Sequence, residues 1–138
     1  MDNRNLKVQL LLTGNEIMSG DTVDSNSALI ARRLSELALG VYRKVTVGDD
    51  VPLLKKELAE MAADSDVIIV NGGLGPTVDD LTAEVVAAVA GLPIEEHAGA
   101  INHLKSWCDK RNLAPIAANL KQAMLPAGAT LIDNPVGS

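Results

Sequence analysis

Three short apolar runs, each followed by a polar loop and a segment of helical periodicity, constrain this chain more than any other feature. "KVQLLLT" (7–13), "VYRKVTV" (41–47) and "DVIIV" (66–70) have the length and composition of strands. After the first, Ile30, Leu34, Leu37 and Ala38 recur at helical spacing. Asp24 or Ser25 is placed to cap that helix, and Gly40 stands where a C-terminal glycine would end it. After the second, Leu54, Leu58, Met61 and Ala62 form an apolar stripe behind Pro52, a residue suited to a first helical turn. After the third, Leu81, Val85, Val86 and Val89 form another stripe, closed by Gly91. This alternation predicts right-handed βαβ crossovers and a mostly parallel sheet. The unbroken run 66–70 predicts a strand buried on both faces. Further on, 97–112 reads as a helix with Ile101, Leu104 and either Cys108 or Trp107 inward. "QAMLP" and "ATLID" read as short late strands. No repeat, linker or low-complexity segment interrupts the chain, so residues 1–138 read as one domain.

Composition narrows the function classes. The chain is 47% hydrophobic, mainly Leu, Val, Ile and Ala, with no Phe, one Tyr and one Trp. Small aliphatic side chains suit helices laid on a parallel sheet, and so few aromatics leave little platform for base stacking. A formal net charge of −6 argues against binding a nucleic-acid backbone. One cysteine, Cys108, excludes an internal disulfide and a cysteine-based zinc site. The N-terminal "MDNRNLKVQLLL" lacks the longer apolar core of a signal peptide, and no run is long enough to span a bilayer. The expectation is a cytoplasmic protein acting on a small molecule, with neither nucleic acid nor membrane as partner.

In parallel α/β sheets the strand-to-helix loops emerge at one edge, where ligands bind. Three such loops are expected here, at 14–25, 48–51 and 71–79. The first carries Asn15, Glu16, Ser19, Asp21, Asp24 and Asn26. The second carries Asp49 and Asp50. The third, "NGGLGPTVDD", joins Gly72, Gly73, Gly75 and Thr77 to Asp79 and Asp80. Its glycines permit positive φ and close approach of a phosphate to backbone N–H groups, and a helix start adds partial positive charge. Aspartates repel phosphate at close range unless a hard divalent cation bridges the two. A bland reading stands beside this one: Asp79 and the Asp49–Asp50 pair also suit helix caps. The stretch is neither a dinucleotide G-x-G-x-x-G nor a P-loop. His97 and His103 lack a ligand spacing and read as surface or helix residues. Cys108 reads as a small core residue and Trp107 as packing or a subunit contact.

"TGNEIMSG", "VGDD", "VNGGLGPTVDDLTAE", "NLKQAMLPAGA" and "NPVGS" together resemble the amino-terminal domain of the competence/damage-inducible CinA family, within the molybdopterin-binding MoaB/MogA-like superfamily. The resemblance spans nearly the whole chain, and "GGLGPT" in place of "GGTG" points to the CinA branch. It implies a three-layer α/β/α sandwich and a metal-dependent ADP-ribose pyrophosphatase giving AMP and ribose 5-phosphate. It also implies Mg²⁺, Mn²⁺ or Co²⁺ as cofactor, with potassium, and a homodimer. Full-length relatives often carry a second domain that deamidates nicotinamide mononucleotide; nothing in this chain matches it.

Carried over by position, Asp80 and Asp49 are the expected catalytic and metal-binding carboxylates, with Asp50 and Asp79 as further metal candidates. Lys121 is expected to offset charge on the pyrophosphate, and Glu16 to act as general base. Asn15, Gly72, Gly73, Gly75, Thr77, Asn119 and Gln122 are expected to hold substrate. Of the adjacent pair, Asp79 is the expected helix cap and Asp80 the functional residue. The family pattern continues past "NPVGS" with an "APG" turn and further sheet, so a domain ending at Ser138 is expected to lack its last part. Adenylyl transfer to molybdopterin, or nucleotide or pterin binding without turnover, are the alternatives.

Overall fold

The structure, a computed structural model, describes residues 6–137. The N-terminal expectation therefore lies partly, and the chain end at Ser138 wholly, outside the described residues. The backbone packs as two compact units, Met1–Gly73 and Leu74–Ser138.

The first unit is built on three parallel strands: β1 (Val8–Thr13), β2 (Val41–Val47) and β3 (Val67–Asn71). Their order is β2-β1-β3. In register, Leu11 lies between Val45 and Val70, and Leu12 between Thr46 and Asn71. The expected parallel pairing is thus present, and the mixed α/β fold class holds. β1 is central and buried at all six positions. Even Gln9 is wholly buried there, its Nε2 donating to the Asp64 carbonyl at 3.2 Å. The expectation of a doubly buried run at 66–70 is corrected: β3 is half-buried and its Val67 is exposed. The reason is position, since β3 lies at the edge of the three-stranded sheet while β1 is flanked on both sides.

Helices connect these strands. The loop expected over 14–25 starts with a short helix, α1 (Asn15–Ser19). α2 (Asn26–Glu36) follows. Its start is held by Asp24, which accepts from the Ser27 backbone N–H at 2.9 Å and from the Ser27 hydroxyl. Its end is not made by Gly40. Ala38 takes the left-handed conformation at φ 58°, while Leu39 N–H donates to Leu34 and Ala38 N–H to Ser35. That is the Schellman pattern, two residues earlier than the glycine suggests. Leu37 is consequently turned out to solvent instead of extending the stripe. α3 (Val51–Ala63) matches expectation closely, burying Leu54, Leu58 and Met61, with Pro52 in its first turn.

The second unit contains α4 (Thr82–Ala90), β4 (Ile94–Glu96), α5 (Ala98–Asp109), α6 (Ala117–Leu120), a 3₁₀ turn at Lys121–Ala123 and β5 (Met124–Pro126). β4 and β5 pair antiparallel, with Glu95 opposite Leu125. "QAMLP" does supply a strand, whereas "ATLID" forms none. Gly91 closes α4 at φ 67°, as expected. On α5, Leu104 and Cys108 face inward and Trp107 is half-buried beneath Arg111, whose guanidinium lies 4.2 Å from the ring centre. His97 accepts from the Ala100 N–H at 3.2 Å, so it caps α5 and is no metal ligand candidate. No helix of the described residues is long and apolar enough to cross a membrane.

Candidate functional site

The first unit gathers polar groups at the carboxyl ends of its strands. A chain that runs from β1 to β2 on one side and then crosses to β3 on the other reverses direction beside β1. Ligands of open α/β sheets bind at such a switch point. Here β1 ends at Thr13, followed by Gly14 and Asn15; β3 ends at Asn71, followed by Gly72. The two ends touch: a side chain on Gly72 would bring its Cβ to 2.3 Å from the Thr13 carbonyl oxygen, and Gly72 has φ 106°. Only glycine fits there.

Asn15 and Asp49 form a reciprocal pair. The Asn15 backbone N–H donates to Asp49 Oδ2 at 3.2 Å, and the Asp49 N–H donates to Asn15 Oδ1 at 3.0 Å. The Thr13 hydroxyl reaches Asp49 Oδ1 at 3.4 Å. Gly48 makes room, since a Cβ there would lie 2.6 Å from Asn15 Oδ1. Glu16 is exposed in the first turn of α1, its carboxylate folded back over Gly14. From the other side, Asn26 Nδ2 donates to Asn71 Oδ1 at 3.2 Å. The first two expected loops and the start of the third therefore meet on one edge. Asn26 was among the polar residues marked in the first loop, whereas Thr13 and Asn71 belong to this set without having been singled out. The one signal for Thr13 is a polar residue closing an apolar run.

Asp50 stands apart from that set. It is the N-cap of α3, accepting from the Leu53 N–H at 2.9 Å, so its expected metal role yields to the capping role.

In the second unit the residues 74–80 fold around Asp80. Its Oδ2 accepts from the Thr77 N–H at 2.9 Å and the Thr77 hydroxyl at 2.6 Å. The carboxylate also lies over Gly75, where a Cβ would meet Oδ2 at 2.7 Å. Burial pushes the Asp80 carboxyl up, but bonds from Thr77 and Gly75 and the nearby Lys121 ammonium outweigh it, and the group is held below the usual aspartate range. Asp79 does not cap α4. The helix begins at Thr82, because the tight turn up to Asp80 delays it, and Asp79 is exposed. Lys121, expected to face a pyrophosphate, donates instead to the carbonyls of Thr77, at 2.6 Å, and Asp80. Asn119 accepts from the Ile116 N–H at 3.3 Å and so ties the start of its own short helix. Gln122 lines a small cavity with His103, Leu131 and Asn134.

Among the described residues, no group of three or more His, Cys, Asp or Glu side chains is placed to hold a metal ion. Asp49, Asp50 and Asp80 each already accept from chain donors. The side chains present do not make a protein cage for a divalent cation.

Residues 9–134 match the family described as "Probable molybdopterin binding domain". A CinA-like protein of Colwellia psychrerythraea is 54% identical over 132 residues, covering 96% of this chain and 31% of its own length. The nicotinamide-nucleotide amidohydrolase PncC of Shewanella oneidensis is 41% identical over 133 residues, with the same two coverages. This chain thus spans about a third of the length of the curated relatives it matches. The crystal structure of the protein CinA of unknown function from Thermoplasma acidophilum superposes with a TM-score of 0.82 at 32% identity, covering 95% of this chain and 76% of that one. With the parallel β2-β1-β3 sheet and nearly the whole chain inside these matches, the chain belongs to the molybdopterin-binding domain family, in its CinA-like branch.

Proposed function

We propose that this chain is a hydrolase domain for nucleotide diphosphates, cleaving ADP-ribose or a close analogue to AMP and ribose 5-phosphate. The observation that supports this reading best is the Thr13–Asn15–Asp49 set at the carboxyl edge of the sheet, a polar cluster at the position where parallel sheets bind ligands. The substrate is read from the resemblance to CinA domains. In this reading water attacks phosphorus, the bond to one phosphate oxygen breaks, and the exposed Glu16 carboxylate accepts a proton. In this reading the glycine-rich loop after β3 is the phosphate loop. A divalent cation carried by the diphosphate substrate would supply charge neutralisation.

The test is a hydrolysis screen over nucleotide diphosphates with Mg²⁺, Mn²⁺ or Co²⁺, with and without K⁺. Expected is release of AMP from ADP-ribose that stops on chelation and is lost in Asp49→Ala. No turnover of any diphosphate under these conditions would end the reading. Light scattering of the same sample checks the homodimer that the family resemblance implies.

The family description favours a second reading, in which a pterin is bound and adenylated. An assay with ATP and molybdopterin separates the two by product.

A further inference from the structure

Lys121 stands 44 residues after Thr77 and 41 after Asp80, the two residues it touches. Its ammonium donates to two backbone carbonyls, those of Thr77 and Asp80, which mark the two ends of one turn. That turn is already closed from within. The Asp80 N–H donates to the Thr77 carbonyl at 3.2 Å, and the Asp80 carboxylate takes both the N–H and the hydroxyl of Thr77. Every polar group of Thr77 is therefore engaged, and the outer face of the turn is pinned by a cation that reaches it from the 3₁₀ turn at Lys121–Ala123.

We propose that Lys121 is a positioning residue: it clamps the Gly75–Asp80 loop in its working shape and does not itself meet phosphate. An ammonium has three protons and no acceptor capacity. Two of its directions are spent on the Thr77 and Asp80 carbonyl oxygens. Swinging toward a ligand would release both carbonyls and free the turn. Gly75 shows how tight the shape is, because any side chain there strikes the Asp80 carboxylate. The clamp links the motif "NLKQA" to "GGLGPTVDD" through one side chain, and makes loop order depend on the segment around α6. The functional meaning rests on the reading of Gly75–Asp80 as the phosphate loop, whereas the clamp itself can be measured without any ligand.

The experiment is amide hydrogen exchange by NMR on the ligand-free chain, comparing wild type, Lys121→Met and Lys121→Arg. Local opening sets the exchange of such amides, so the Met variant should exchange about tenfold faster at Thr77 and Asp80, with β1 amides unchanged. Arg, which also donates to carbonyls, should restore part of the protection. ADP-ribose affinity should fall in Met and recover in Arg. Unchanged exchange at Thr77 and Asp80 in the Met variant overturns the clamp, even if ADP-ribose affinity drops, since that pair of results marks a direct phosphate contact. If the Met variant loses protection in β1 as well, Lys121→Gln is read by the same criterion. Wild-type protein that fails to bind ADP-ribose, while the exchange effect holds, removes the substrate reading and leaves the clamp standing.

Discussion

Asp24, Asp49, Asp50 and Asp80 are four aspartates of one sequence type that divide three jobs: two hold helix starts, one pairs with a neighbouring loop and one closes a turn. Asp50 caps α3, and its replacement by Ala should cost about 1 kcal/mol in chemical denaturation. Asp24 holds the start of α2 and is approached by Lys44 at 3.4 Å. Burial raises its carboxyl, but the Ser27 donors and Lys44 outweigh that and hold the group below the usual aspartate range. The sign follows: with the folded value depressed, its contribution is present above the ordinary aspartate range and is lost as pH falls through the folded value. Asp24→Asn should therefore be less stable than wild type at neutral pH, and the gap should close in acid, as unfolding curves at a series of pH values will show. Which aspartate does which job was not legible from the residues themselves. A carboxylate before a helix looks the same whether it meets its own helix, as Asp50 does, or a neighbouring loop, as Asp49 does. Asp79 shows the opposite error, a good cap in sequence that the turn at Thr77–Asp80 carries out of reach.

Elements were legible where an apolar stripe and a stop signal agreed. α4 has both, and Gly91 ends it where expected, although of its marked stripe only Val85 is fully buried, beside Thr82 and Ala87; α3 has the stripe, with Leu54, Leu58 and Met61 buried and Ala62 exposed. α2 satisfies only one. Its stop signal, Gly40, lies past the point where the chain turns, and Ala38 bears the left-handed conformation at φ 58°. An L-residue pays about 1 kcal/mol or more there, and glycine pays almost none. Ala38→Gly should raise the melting temperature, because relief of the left-handed strain outweighs the usual entropic cost of glycine. At the strand ends the reverse substitution is harmful. Gly72→Ala combines a positive φ with a 2.3 Å approach to the Thr13 carbonyl, so it should destabilise the chain by about 1–3 kcal/mol in denaturant titration and impair any ligand binding at the edge. The short strand β4 was missed altogether, because three residues carry too little alternation to stand out.

At the scale of the molecule, charge makes one further prediction. A net charge of −6 gives no counterion release on contact with a polyanion, so the chain should not retard duplex DNA in a gel shift at about 0.15 M salt. The sequence by itself determined the fold class, the parallel pairing of three strands, most of the core stripe of α3 and the family, because these depend on local periodicity and on long motif blocks. It also marked Asn15, Asp49 and the glycine loop as worth attention. Only the tertiary structure decided that β1 is the wholly buried strand, that Asp49 pairs with Asn15 across 34 residues and that Lys121 grips the turn at Thr77–Asp80. Such assignments depend on which donor and acceptor come within about 3 Å, a matter of packing between distant segments that composition and spacing do not encode.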